Sequence, residues 1–174
     1  MNRSLTAVAV ALFAATFAAH AQTNGPNDAQ IAAIVVTANQ VDIDAGKLAE
    51  SKAKNKDVKA FGKMMVTDHT GVNKSATDLV KKLHVKPEDN PTAESLKKGG
   101  QENIAHLKTL NGDAFDKAYI AHEVAYHQQV IDAMDKTLIP SAQNAELKAL
   151  LVKVRPAFVA HLEHAKMVEG KLGK

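Results

Sequence analysis

Apolar residues recur at helical spacing in every segment of the chain after Gly25, and no stretch alternates in the two-residue period of a strand. The first stripe is Ile31, Ile34, Val35, Ala38, Val41, Ala45, Leu48 and Ala49, and the second is Val58, Phe61, Met65, Val72, Ala76, Leu79, Val80 and Leu83. A weaker one follows in Leu96, Ile104, Leu107 and Leu110. Ile120, Val124, Ile131, Met134 and Leu138 make the fourth, and Leu147, Leu150, Leu151, Val154, Phe158, Leu162, Ala165 and Val168 the last. Asn27 with Gln30 reads as a capping box, and Asn55 and Asn144 read as caps of later helices. Asn90 with Pro91 is a cap and first-turn pair, and Asn111-Gly112-Asp113 is a stop followed by a new start. Gly99-Gly100 predicts that the third helix is short or interrupted, Pro140 ends the fourth, and Pro156 predicts a kink or a local start in the fifth.

These stripes predict an all-α fold. Few residues separate the first two helices, or the last two, so each pair forms antiparallel neighbours. The long connection between the pairs carries the short extra helix. That is the topology of a ferritin-like four-helix bundle with one long crossover. Phe115, Tyr119 and Tyr126 make the opposite face of the fourth helix partly apolar, which predicts contact on two sides.

The first 21 residues read differently. Arg3, an apolar run from Leu5 to Ala19 and the Ala19-His20-Ala21 pattern form a secretory signal peptide. Cleavage between Ala21 and Gln22 leaves residues 22–174 as a single domain in the periplasm or outside the cell. The run is shorter than the ~20 apolar residues of a spanning helix, and no second one follows. With no Cys in 174 residues, lipid attachment, disulfides, thiolate metal sites and a Cys nucleophile are excluded. A formal charge of +3 and few aromatics argue against nucleic acid as a partner.

At ~100° per residue, four polar side chains fall inside apolar stripes. Asp42 lies between Ala38 and Ala45, and His69 between Met65 and Val72. His127 lies between Val124 and Ile131, and His161 between Val154 and Ala165. Asp44 points to solvent. Each of the four sits near mid-helix, so one from each long helix reaches the same depth. Three imidazoles and a carboxylate suit one transition metal ion, zinc first, with copper or iron also compatible. A metal-free hydrogen-bonded network of the same residues is the alternative, in a structural or protein-interaction module whose working surface is a Lys-rich face such as Lys52-Ala53-Lys54-Asn55-Lys56. Asp68 and Glu123 form a second tier. Asp68 would ligate or orient a ligand, and Glu123, four before His127, reads first as a solvated edge residue and second as a ligand or its support. His122 belongs with Tyr119 and Tyr126 under the crossover, His164 lies at a rim, and His84 and His106 are surface residues. Met64 and Met65 read as core packing.

Several signatures carry a resemblance. They are Asn39-Gln40-Val41-Asp42-Ile43-Asp44-Ala45-Gly46-Lys47-Leu48-Ala49, Phe61-Gly62-Lys63-Met64-Met65-Val66-Thr67-Asp68-His69, Phe115-Asp116-Lys117-Ala118-Tyr119-Ile120 with His127 after it, and Pro156 followed by His161-Leu162. In this order they resemble a bacterial family of exported proteins that carries a domain of unknown function. Its members are often labelled "predicted outer membrane protein", and it is grouped with the ferritin-like superfamily. The resemblance covers about Asp28 to Val168 and implies secretion and the bundle fold, but no reaction. The family usually has Glu at the position of Asp42, so the reach there is one methylene shorter. A di-iron site needs Glu-x-x-His on two helices. None of His69, His127 and His161 has Glu three residues before it, which disfavours di-iron chemistry. No nucleophile elbow, phosphate loop or dinucleotide fingerprint is present, so nothing argues for an enzyme.

Overall fold

A computed structural model describes residues 25–173. The signal-peptide reading lies outside the described residues. The chain is an all-α bundle with no strand among the described residues: α1 (Asp28–Lys52), α2 (Lys56–Lys82), α3 (Pro91–Thr109), α4 (Gly112–Ala133), a π-helical turn (Met134–Leu138), a short α5 (Ile139–Ser141) and α6 (Ala145–Leu172). The helix α1 packs on α2, and α4 on α6; α3, in the long connection, lies mainly against α1. No helix among the described residues is long and apolar enough to cross a membrane.

The helix starts follow the expected chemistry. Asn27 and Gln30 exchange both bonds of a capping box, and the side chains of Asn55, Asn90 and Asn144 each accept from the first turn of their helices. Asn111 makes no such bond; α4 begins directly at Gly112, whose φ of +56° is open to glycine at little cost. Asp113 instead pairs with Lys54 at 3.0 Å.

Three local expectations are corrected. The helix α3 is neither short nor interrupted: it runs 19 residues through Gly99-Gly100. A Cβ on Gly100 would lie 2.7 Å from a Val41 methyl, so this glycine lets α3 approach α1. Pro156 sets no local start, since α6 is continuous from Ala145 to Leu172. Pro156 and Val152 are both exposed, so the proline sits on the solvent side of the helix. Pro140 does not end α4, which stops at Ala133, but lies in the short α5 beyond the π-turn. Its ring would crowd the carbonyl four residues earlier, and the chain widens into the π-turn before it, with the Ile139 N–H donating to the Met134 carbonyl.

The two hairpins are locked reciprocally. Asp116, buried on α4, accepts from the backbone N–H of Lys54 at 3.1 Å and of Asn55 at 2.7 Å, in the turn between α1 and α2. Asp28 on α1 accepts from Gln143 and Asn144, both at 2.9 Å, in the turn before α6. A carboxylate from each hairpin thus satisfies the turn amides of the other.

The core is split in two along the bundle. One apolar cluster gathers Ile31, Ile34, Ile131, Leu138, Leu151 and Phe158; the other gathers Ala49, Phe61, Met65, Phe115, Tyr119 and Val168. Between them lies a layer of buried polar side chains: Asn39, Asp42, His69, Glu123, His127 and His161. The helices α1 and α2 meet closely at Gly46 and Gly62. A Cβ on Gly62 would stand 2.8 Å from both the Gly46 carbonyl oxygen and the Ala49 Cβ.

Because that contact is with backbone, Gly62→Ala should cost about 1–3 kcal/mol by overpacking. Gly71, on the same helix with nothing near it, should respond the other way, Gly71→Ala stabilising by about 0.5–1 kcal/mol through helix propensity. Thermal denaturation of the two variants separates them by sign.

Candidate metal centre

Each long helix contributes to the polar layer because each places one turn of its apolar stripe at mid-height. His69 on α2, His127 on α4 and His161 on α6 form a triangle of rings, with centroids 5.6, 5.2 and 5.4 Å apart for the pairs His69–His127, His69–His161 and His127–His161. Each offers a ring nitrogen within 4.8 Å of the other two. All three are buried, His69 and His127 completely.

The hydrogen bonds assign the tautomers. His69 Nδ1 is 2.7 Å from the Asn39 amide oxygen, and the Asn39 amide nitrogen in turn donates to the Val35 carbonyl at 2.8 Å. With Asn39 presenting only its oxygen, His69 must donate from Nδ1. His127 Nδ1 donates to the Glu123 carbonyl at 3.0 Å, and His161 Nε2 donates to Asp68 at 2.9 Å. The remaining nitrogens, His69 Nε2, His127 Nε2 and His161 Nδ1, are buried lone pairs with no hydrogen-bond partner. Each ring is held from outside by one N–H, leaving its other nitrogen free, which is the arrangement that orients imidazole ligands on metals.

Carboxyl groups flank the triangle. Asp42 and Glu123 share a 4.8 Å cluster with His127. Asp42 Oδ2 is 3.4 Å from His69 Nε2, too long for a good hydrogen bond. Asp42, Glu123 and the Tyr119 hydroxyl are buried side by side, so that a protonated carboxyl can hydrogen-bond its neighbours. A buried polar atom left unpaired costs about 1–3 kcal/mol. His69, His127 and His161 make one cluster, and Asp42, Glu123 and His127 a second, each of which could hold a metal ion.

Burial also sets the electrostatics of the layer. Burial, followed by the neighbouring imidazoles, pushes His69 down to about 2, and burial pushes His127 down to about 4. His161 is lowered by burial, against the opposing pull of Asp68. Burial pushes Glu123 up to about 8, and raises Asp42 well above the carboxylate range, with Glu123 adding to the rise. At neutral pH His69 and His127 are therefore neutral beside a largely protonated Glu123, with Asp42 shifted in the same direction as Glu123. A divalent cation would reverse this balance, favouring the ionised carboxylates and using the free imidazole lone pairs.

Of the residues singled out from sequence, His69, His127 and His161 converge. Asp42 is buried as expected but sits beside Glu123 on the flank of the triangle. Glu123 is corrected most: it is fully buried, not a solvated edge residue, because α4 is covered on both faces and position 123 faces α1. Asp68 stays partly exposed and holds His161. His122 stacks on Tyr126 beneath α3, and His84 and His106 are exposed. Asn39 was missed, although it precedes Asp42 by three positions on the same stripe. Tyr119, four before Glu123, was read as packing alone.

A sequence profile described as a domain of unknown function (DUF4142) matches residues 13–168, and the chain belongs to that family. No curated protein and no solved structure matches it.

The burial shifts set a pH dependence for chelator-treated protein. The imidazoles have folded values below their ordinary 6.5, so their contribution is complete above that pH and is lost as pH falls toward about 4 and 2. Glu123 has a folded value above its ordinary 4.5, so its contribution is complete below 4.5 and is lost as pH rises to about 8. Below pH 6.5 the loss from His69 and His127 outweighs the gain from Glu123, so the melting temperature should peak at about pH 6.5. Glu123→Gln should flatten the alkaline decline. Circular dichroism melts from about pH 5 to 9 check both.

Proposed function

We propose that this DUF4142 chain is an exported, ferritin-like bundle that binds one transition metal ion in its core, zinc first, for metal handling or envelope stress. The observation that carries the reading is the set of three free imidazole nitrogens, each ring fixed from behind by Asn39, the Glu123 carbonyl or Asp68. His69, His127 and His161 would supply three nitrogens, and Asp42 or Glu123 the carboxylate. All of these donors are nitrogen or oxygen, which zinc, copper and iron accept. Export is supported by the Arg3, Leu5–Ala19 and Ala19-His20-Ala21 pattern, and the ferritin-like reading by two helical hairpins joined through a long crossover.

The test is metal content and uptake. Untagged protein should carry or take up about one equivalent of zinc by mass spectrometry. A 100-fold excess over Kd should add about 2.7 kcal/mol of stability, which a chelator removes. His127→Ala should abolish uptake. Asn39→Ala should weaken it by about 10- to 100-fold, because the ring behind it loses its orientation. Protein that takes up no zinc, copper or iron would overturn the reading and leave a metal-free polar network in a structural or interaction module.

A further inference from the structure

Beside the polar layer, on the side of the Ile34 and Leu151 core, the bundle holds a cavity of about 300 Å³. Its inner wall includes Ile34, Leu138, Leu151 and Phe158, all buried. Its exposed edge is formed by Thr92 at the start of α3 and by Gln129 and Thr137 near the end of α4. Met134, Thr137 and Leu138 of the π-turn all line it. The widened winding that Pro140 imposes therefore borders the cavity, a common placement for π-turns.

The chemistry of the wall restricts the occupant. No charged side chain lines it. Its two buried polar residues are already engaged. Asn39 is bonded to Val35 and His69, and the Tyr126 hydroxyl donates to the Ala38 carbonyl at 3.0 Å. Water in such a space finds too few of the 2–4 partners it needs, and displacing it by apolar surface is favourable. The volume is about twice that of a ~150 Å³ apolar cavity that accepts benzene.

We propose that this cavity is a binding site for one small uncharged apolar molecule, a medium-length alkyl chain or a two-ring aromatic, with any hydroxyl left at the Thr92–Gln129 edge. The occupant would rest on Phe158, whose ring stands 5.1 Å from that of His69, so the site shares a wall with the imidazole layer without using its lone pairs.

The test uses N-phenyl-1-naphthylamine as the fluorescent probe and 1-octanol as the competitor, on chelator-treated protein. Its outcome is then independent of whether the imidazoles hold metal. Saturable one-to-one binding, displaced by the alcohol, is expected. Ala133→Phe at the exposed edge and Val154→Trp on the α6 wall should each weaken it at least tenfold with the melting temperature retained. Met167→Ser, which removes an exposed apolar side chain elsewhere on α6, should leave it unchanged. Absence of saturable binding, binding that survives both plugging variants, or binding lost only in Met167→Ser would overturn the proposal.

Discussion

Three imidazoles and two carboxyls buried at one level of a helical bundle need either compensation or neutrality. This layer of His69, His127, His161, Asp42 and Glu123 takes neutrality in the absence of a cation, as burial lowers the imidazoles and raises the carboxyls. The result is electrically quiet but leaves one lone pair on each imidazole without a partner. The two apolar clusters on either side exclude solvent from the layer, and so make every unpaired atom in it expensive.

The surrounding architecture keeps that layer in register. Gly46 follows Asp42 by one turn and meets Gly62, so the close approach of α1 and α2 lies about two turns from the level where Asn39 reaches His69. Asp116 and Asp28 pin each hairpin turn to the other hairpin, fixing how far α1–α2 can slide along α4–α6. The rings are then oriented from outside by bonds that do not consume their inward nitrogens. Preorganisation of this kind is what a ligand set needs if a metal is not to spend its binding energy on ordering side chains.

The same helices serve the cavity. Asn39 belongs to both the polar layer and the cavity wall, Phe158 of that wall packs on His69, and the π-turn lies within two turns of His127 on the same continuous stretch of helix. A single stretch of α4 thus carries a covered face at Tyr119 and Tyr126, two side chains of the polar layer, and the widened turn beside the apolar space.

The sequence by itself determined the all-α class, the pairing of helices and the inward positions of Asp42, His69, His127 and His161. Those depend on periodicity and caps, which are local and repeat every turn. It also contained Asn39, on the same stripe as Asp42. Only the tertiary structure decided the burial of Glu123, because α4 is covered on both faces and no single stripe says which edge lies under a neighbour. The continuity of α3 across Gly99-Gly100 was likewise settled by contact with Val41, since propensity alone counts those glycines as breakers. Which ring nitrogen stays free on each imidazole depended on Asn39, the Glu123 carbonyl and Asp68. Two of these three partners lie on other helices, and no spacing along one helix can place them.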